Sequence, residues 1–187
     1  MLNRRTALWR LASLLGLGAF GPVRAQTHSD PRKARPLEGD IFVYAFGERT
    51  GETVRVSDLE ADSEQVVCWA MDPAMGFVRD GSRLNQVLLV RFDPEELSEA
   101  TRAVSAEGIV AYSGICPHTG CDISNWARER RNLLCSCHDS EFDPRDQAVV
   151  KSGPAPRRLP ALPIRIVDGV LEAAGGFDAR IRFEKTF

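Results

Sequence analysis

Two short stretches of this chain hold nearly all of its metal-ligating side chains. "CPHTGC" runs from Cys116 to Cys121, and "CSCH" runs from Cys135 to His138. The chain has three histidines and five cysteines. His28 lies in a polar stretch near the start, so both other histidines, His118 and His138, sit inside a cysteine motif. The first motif is spaced Cys-x-His and the second Cys-x-x-His, with sixteen residues between His118 and Cys135. Two loops, each carrying one Cys and one His, can hold a metal if the fold brings them together.

Two thiolates and two imidazoles suit tetrahedral zinc. They equally suit a two-iron cluster with both cysteines on one iron and both histidines on the other. Ligand count alone does not choose. Cys121 lies five residues after Cys116, and Cys137 two after Cys135. One spare cysteine per loop suggests a disulfide tying the loops. A zinc site with four thiolates at hand would more often recruit them. Cys68, in "VVCWAM", reads as a buried small hydrophobe.

The first 25 residues read as an export signal. Arg4 and Arg5 stand side by side, an apolar run of 13 residues follows, and Ala25 offers a small residue for cleavage. The paired arginines resemble the twin-arginine type, which implies export of a folded protein to the periplasm. The apolar run is short of the roughly 20 residues a spanning helix needs, so membrane association is expected only through a partner or an uncleaved signal. In an exported chain disulfides are permitted. The signal carries four arginines and no acids, which leaves 20 Lys+Arg against 26 Asp+Glu in the remainder. That balance argues against nucleic acid and anionic membrane as partners, and would suit a basic one.

Residues 26–38 are polar and proline-bearing and read as a linker. Residues 39–187 form the folded domain. "DIFVYAF", "EQVVCWAM", "RLNQVLLVRF" and "GIVAYSGI" read as strands. A helix is expected from Asp93, with Pro94 in the first turn, Glu96 completing a capping box, an apolar stripe of Leu97, Ala100 and Val104, and Gly108 as the stop. Glu95 and Glu99 fall on its solvated face. "SEFDPRDQAVV" reads as strand, Asp-Pro turn, strand. "LPIRIVDGVLEAAGG" reads as a hairpin turning at Asp168-Gly169. "ARIRF" reads as a last edge strand. The fold class is mostly β, with one helix and a cysteine-rich excursion.

"CPHTGC" with "CSCHDS" resembles the two cluster-binding boxes of high-potential Rieske proteins, Cys-x-His-x-Gly-Cys and Cys-x-Cys-His-x-Ser. The resemblance implies one [2Fe-2S] cluster bound by Cys116, His118, Cys135 and His138, and a disulfide between Cys121 and Cys137. It implies a Rieske-type antiparallel β-sandwich, with a small cluster-binding subdomain over about residues 110–156 inserted in the base domain. "SGPAP", with Gly153, Pro154 and Pro156, resembles the loop that covers the cluster on a third side. Ser140 resembles the serine that donates to a cluster sulfide. Phe142 stands where many quinol-oxidising relatives carry a tyrosine, so one donor is missing and a lower potential is expected. Two ferric ions, two sulfides and two thiolates with neutral imidazoles sum to no net charge, so an electron is added more easily than to an all-thiolate cluster. The disulfide would close a loop of about 15 residues, worth roughly 3 kcal/mol before overlap with the cluster's own cross-link.

A cluster of this kind implies single-electron transfer, with no substrate pocket of its own. One reading is the small subunit of an exported oxidoreductase resembling arsenite oxidase, taking electrons from a larger molybdenum-containing subunit and passing them to a cytochrome. The "CPH" spelling, the paired arginines and the short apolar run favour it. The second is the iron–sulfur subunit of a cytochrome bc-type quinol oxidase, favoured by Ser140, "GPAP" and the linker. Thr119 weighs against it, since leucine usually docks on cytochrome b there. A ring-hydroxylating oxygenase needs a second iron, and no histidine remains for it. A low-potential ferredoxin would usually lack the spare cysteine pair and the export signal. A zinc-binding structural domain is the alternative from another class.

Overall fold

The computed structural model describes residues 30–184. The chain forms eleven strands there. Five come first: β1 (Ile41–Tyr44), β2 (Val66–Asp72), β3 (Phe77–Val78), β4 (Val87–Arg91) and β5 (Ile109–Ser113). Four more follow, β6 (Asn125–Ala127), β7 (Asn132–Cys135), β8 (Ser140–Asp143) and β9 (Val149–Ser152), before β10 (Ile164–Val167) and β11 (Val170–Ala173). The first sheet has seven strands in the order β10-β11-β1-β2-β4-β5, with β3 on β2. The second is β6-β7-β8-β9, and the pairings between these strands are antiparallel.

The first sheet curls. The Leu162 N–H donates to the Ala111 carbonyl at 2.9 Å, so the segment entering β10 meets the open edge of β5. Alternation along β4 and β5 then decides which core each side chain joins. Val87, Leu89, Ile109 and Ala111 point inward and pack with Phe42, Cys68 and Leu171. Leu88, Val90, Val110 and Tyr112 point outward and pack with Leu133, Phe142 and Leu159. Strands apolar on both faces must be covered on both, and residues 114–163, which carry the second sheet, supply the second cover. Each large apolar side chain buried this way contributes about 1.5–3 kcal/mol relative to exposure. The Tyr112 hydroxyl fixes the docking by donating to the Pro144 carbonyl at 2.8 Å.

Three expectations change. The helix over 93–108 does not form as one element. Pro94–Glu96 is a single 3₁₀ turn, with Asp93 accepting from the Glu95 N–H. Leu97 is then extended (φ −79°, ψ 136°) so that its side chain reaches the core, and a four-residue helix α1 (Glu99–Arg102) restarts from a Ser98 cap. Thr101, not Ala100, is the buried position there, because its hydroxyl accepts from the Gln147 N–H at 2.7 Å. "ARIRF" is not a strand; its segment crosses the first cysteine loop instead. Residues 30–38 are held against the fold: Asn85 donates to the Ala34 carbonyl at 2.7 Å, and Arg32 pairs with Asp80 at 2.7 Å. Residues 1–29, with the expected export signal over 1–25, lie outside the described residues. The hairpin at Asp168-Gly169 forms with both residues at positive φ (50° and 76°), as a type I′ turn requires. Cys68 is fully buried, and burial pushes its thiol well above the ordinary range.

Candidate metal centre

The first motif folds as a closed loop leaving β5. The Ile123 N–H donates to the Gly114 carbonyl (2.8 Å), the Cys116 N–H to the Cys121 carbonyl (2.8 Å) and the Gly120 N–H to the Cys116 carbonyl (3.0 Å). Gly120 takes φ +83°, which lets six residues reverse direction. The second motif is the tip of the β7–β8 hairpin, where Cys135 pairs with Ser140 across the strands. Ser136 to Asp139 form the turn, with Asp139 at φ 55°. Cys121 and Cys137 join the two tips as a disulfide.

The other four donors converge. His118 and His138 bring their Nδ1 atoms to 3.2 Å, with the rings nearly perpendicular. His138 is exposed and His118 half-buried, while Cys116 and Cys135 are buried free thiols. The two thiols lie side by side, and that proximity pulls the Cys135 thiol below the ordinary range while pushing the Cys116 thiol above it. The backbone N–H of His118 beside Cys116, and those of Cys137 and His138 beside Cys135, favour the thiolate form of each sulfur. The Cys135 sulfur also lies within 4.8 Å of both disulfide sulfurs. Those two are consumed by their bond, so the usable set is two thiols and two imidazoles.

This set fits two neighbouring metal ions. Two nitrogens at about 2.1 Å from one tetrahedral metal stand about 3.4 Å apart, close to the 3.2 Å seen here. Two sulfurs at about 2.3 Å from one metal stand about 3.8 Å apart, within reach of an S–H···S contact. Backbone N–H groups beside both sulfurs match the charge a thiolate ligand carries.

A third wall comes from residues 152–156. The Ala155 N–H donates to the Ser140 hydroxyl at 3.1 Å, which leaves that hydroxyl's own hydrogen for the Cys116 sulfur beside it. Gly153 (φ +86°) permits the approach, since a Cβ there would stand 2.5 Å from the Ser140 Cα. Pro154 and Pro156 flank buried Ala155 and are exposed. Phe142 is fully buried in the core beneath the donors. Thr119 is half-buried, with its hydroxyl 3.7 Å from the Cys121 sulfur. Trp69 and Trp126 pack on Phe46 and Phe92.

Sequence reasoning misses three residues that brace the first loop. Arg83 donates to the Gly120 carbonyl and pairs with Asp122. Phe183 lies over Gly120, where a Cβ would come within 2.8 Å of its ring. The Glu184 N–H donates to the His118 carbonyl at 2.8 Å. All three are distant in the chain from the loop they touch, and no local spacing announces them.

The chain belongs to the Rieske [2Fe-2S] family, and it carries one cluster of that type. The model of the Rieske [2Fe-2S] domain matches residues 77–163. Over 183 residues the chain is 40% identical to a putative respiratory nitrate reductase subunit Rieske of Haloferax mediterranei, covering 96% of this chain and 80% of that protein. Over 94 residues it is 44% identical to the cytochrome bc1 complex Rieske iron-sulfur subunit of Streptomyces lividans. That match covers 49% of this chain and 55% of the relative, and the one to its Streptomyces coelicolor counterpart covers 27% of the relative. The chain thus spans about half, or less, of the length of those relatives. Among solved structures, the soluble domain of Rieske protein II from Sulfolobus acidocaldarius aligns with TM-score 0.38 at 23% identity, over 54% of this chain and 68% of that one.

Proposed function

We propose that Cys116 and Cys135 hold one iron of the cluster, that His118 and His138 hold the other, and that the chain carries single electrons within a larger oxidoreductase. The observation that carries the ligand assignment is the convergence of both Nδ1 atoms, at 3.2 Å, beside two free thiols. When bound, the cluster takes up and releases one electron. The protein's residues do the rest. The N–H groups beside both sulfurs and the Ser140 hydroxyl stabilise added negative charge. The disulfide and the 152–156 loop hold the tips still, which limits reorganisation. The exposed edge of His138 gives a partner a short path and gives a proton access to the imidazole.

The electron donor in this reading is a larger catalytic subunit, molybdenum-containing and arsenite-oxidase-like, with a cytochrome as acceptor and the periplasm as the site of action. Similarity along 96% of the chain to a Rieske subunit named for nitrate reduction supports a catalytic-subunit partner. The paired Arg4 and Arg5 before an apolar run support export by the twin-arginine route. A second reading, the iron–sulfur subunit of a cytochrome bc-type quinol oxidase, is favoured by the 44% identity over 94 residues to the Streptomyces lividans subunit.

Two measurements test this. Cys116→Ser and His138→Ala each reduce bound iron from two per chain to near zero, whereas Cys68→Ser leaves it intact. Full iron and an unchanged Rieske EPR signal in either ligand variant would sink the assignment. Purification of the native assembly then separates the partners: a large molybdenum subunit supports the first reading, a cytochrome b the second.

A further inference from the structure

Beside the first ligand loop lies a groove of 210 Å³ that the electron-transfer chemistry does not use. Its lining includes Pro117, Pro160 and Ile181 as apolar surface and Arg157, Arg180 and Arg182 as charge. Pro117 stands between Cys116 and His118, so whatever sits in the groove sits against the ligand loop. The outer wall is the C-terminal segment from Ala179 to Arg182, and it is tied at both ends. The Asp178 N–H donates to the Ala161 carbonyl, and the Ala161 N–H returns to the Asp178 carboxylate, both at 2.9 Å. At the far end, the Glu184 N–H donates to the His118 carbonyl at 2.8 Å. The groove is therefore preformed, which spares a ligand the cost of ordering it.

Its charge runs against that of the chain. The protein beyond residue 25 has 20 Lys+Arg against 26 Asp+Glu. Yet Arg157, Arg180 and Arg182 are exposed, and among the described residues none pairs with a carboxylate. The nearby Asp178 is already matched by Arg158 at 2.9 Å. An exposed arginine triplet beside a redox site, on an otherwise acidic protein, focuses a local positive field that orients an incoming partner. Guanidinium groups also match carboxylates in pairs of hydrogen bonds, and the apolar surface between them rewards a hydrophobic side chain.

We propose that this groove docks an acidic segment of the electron-transfer partner, with carboxylates on the arginines and an intervening apolar side chain against Pro117 and Ile181. The assignment rests on the reading that Cys116 and His118 hold the cluster. It reverses the basic partner that net charge suggests.

The test uses the full, cluster-loaded chain and a fluorescein-labelled peptide of alternating glutamate and leucine, with a lysine–leucine counterpart. Fluorescence anisotropy at low salt is expected to show binding of the glutamate peptide alone. The triple variant Arg157→Glu, Arg180→Glu, Arg182→Glu should weaken it roughly tenfold or more, as should raising salt to about 150 mM. The milder set Arg157→Gln, Arg180→Gln, Arg182→Gln should give an intermediate loss. EPR of each variant, unchanged from the native chain, shows that the site itself is intact. Equal binding of the lysine peptide, or binding by the triple variant within twofold of native, would overturn the proposal. Absence of a Rieske signal from the loaded native chain would instead overturn the ligand reading, while the binding comparison stands on its own.

Discussion

In the curled sheet, Phe42, Leu89, Ile109 and Leu171 are buried against one another, and among the described residues no covalent bond crosses between its strands. In the small sheet the strands are three or four residues long; its β7–β8 tip is tied by a disulfide to the loop leaving β5 and backed by the 152–156 loop on Ser140, and Arg83 and Phe183 brace the β5 loop at Gly120. The difference follows from size. Seven strands curled on themselves bury enough apolar area to stand by packing. Four short strands present one apolar face to β4 and β5 and must leave the other end open for an electron partner. What packing cannot supply at that open end, cross-links do. Rigidity at the donor set is thus built separately from the stability of the fold.

The largest effects are expected from a matched pair of cavities. Leu89→Ala in the curled sheet and Leu133→Ala under the small one should each cost about 2–5 kcal/mol. Thermal unfolding should fall globally for Leu89→Ala, while Leu133→Ala should chiefly speed loss of the cluster's visible absorbance. Identical behaviour of the two would erase the distinction. Next in size is the disulfide. Cys121→Ala with Cys137→Ala should cost at most about 3 kcal/mol, and less with the cluster bound, because both ties constrain the same loops. Cluster half-life in mild denaturant, with and without the bond, measures that overlap.

Smaller effects sharpen the picture of the donor set. Ser140→Ala should lower the midpoint potential by roughly 40–60 mV, the equivalent of about 1–1.5 kcal/mol for one electron. Phe142→Tyr should raise it by a similar amount if the new hydroxyl reaches a ligand sulfur; an unchanged or lower midpoint by voltammetry would count against Phe142 as the missing donor. The smallest effect is acid sensitivity of the small sheet. Buried Glu141 accepts from Arg130 at 2.6 Å and from Asn132 at 2.7 Å, and the Arg130 pairing holds its carboxyl below the ordinary range. A lowered folded-state value means this stabilisation is complete above about pH 4.3 and is lost as pH falls further. Melting curves from pH 5 to 3 should therefore drop less steeply for Glu141→Gln than for the native chain.

What can be read from residues alone follows the range of the interaction. Cys-x-His and Cys-x-x-His, the Asp168-Gly169 turn and the alternating strands are local patterns, and each is found where local chemistry puts it. The β6–β7 hairpin is hidden, because its strands are short and the charged run from Arg128 to Arg131 between them reads as loop. The helix from Asp93 misleads for the opposite reason. Its local signals are sound, but Leu97 gains more by reaching the core than by staying helical.

The donor set is legible in the residues themselves: two histidines and four cysteines in two motifs leave few other partners for a metal and a disulfide. How that set is braced and approached is written only in contacts across the fold. Arg83 meets Gly120 across 37 residues, and Phe183 lies over the same glycine from the far end of the chain. The segment carrying Phe183 also walls a basic groove on an acidic protein. Ligand choice depends on the chemistry of a few adjacent atoms. Bracing and approach depend on which distant surfaces the two apolar faces of β4 and β5 draw together.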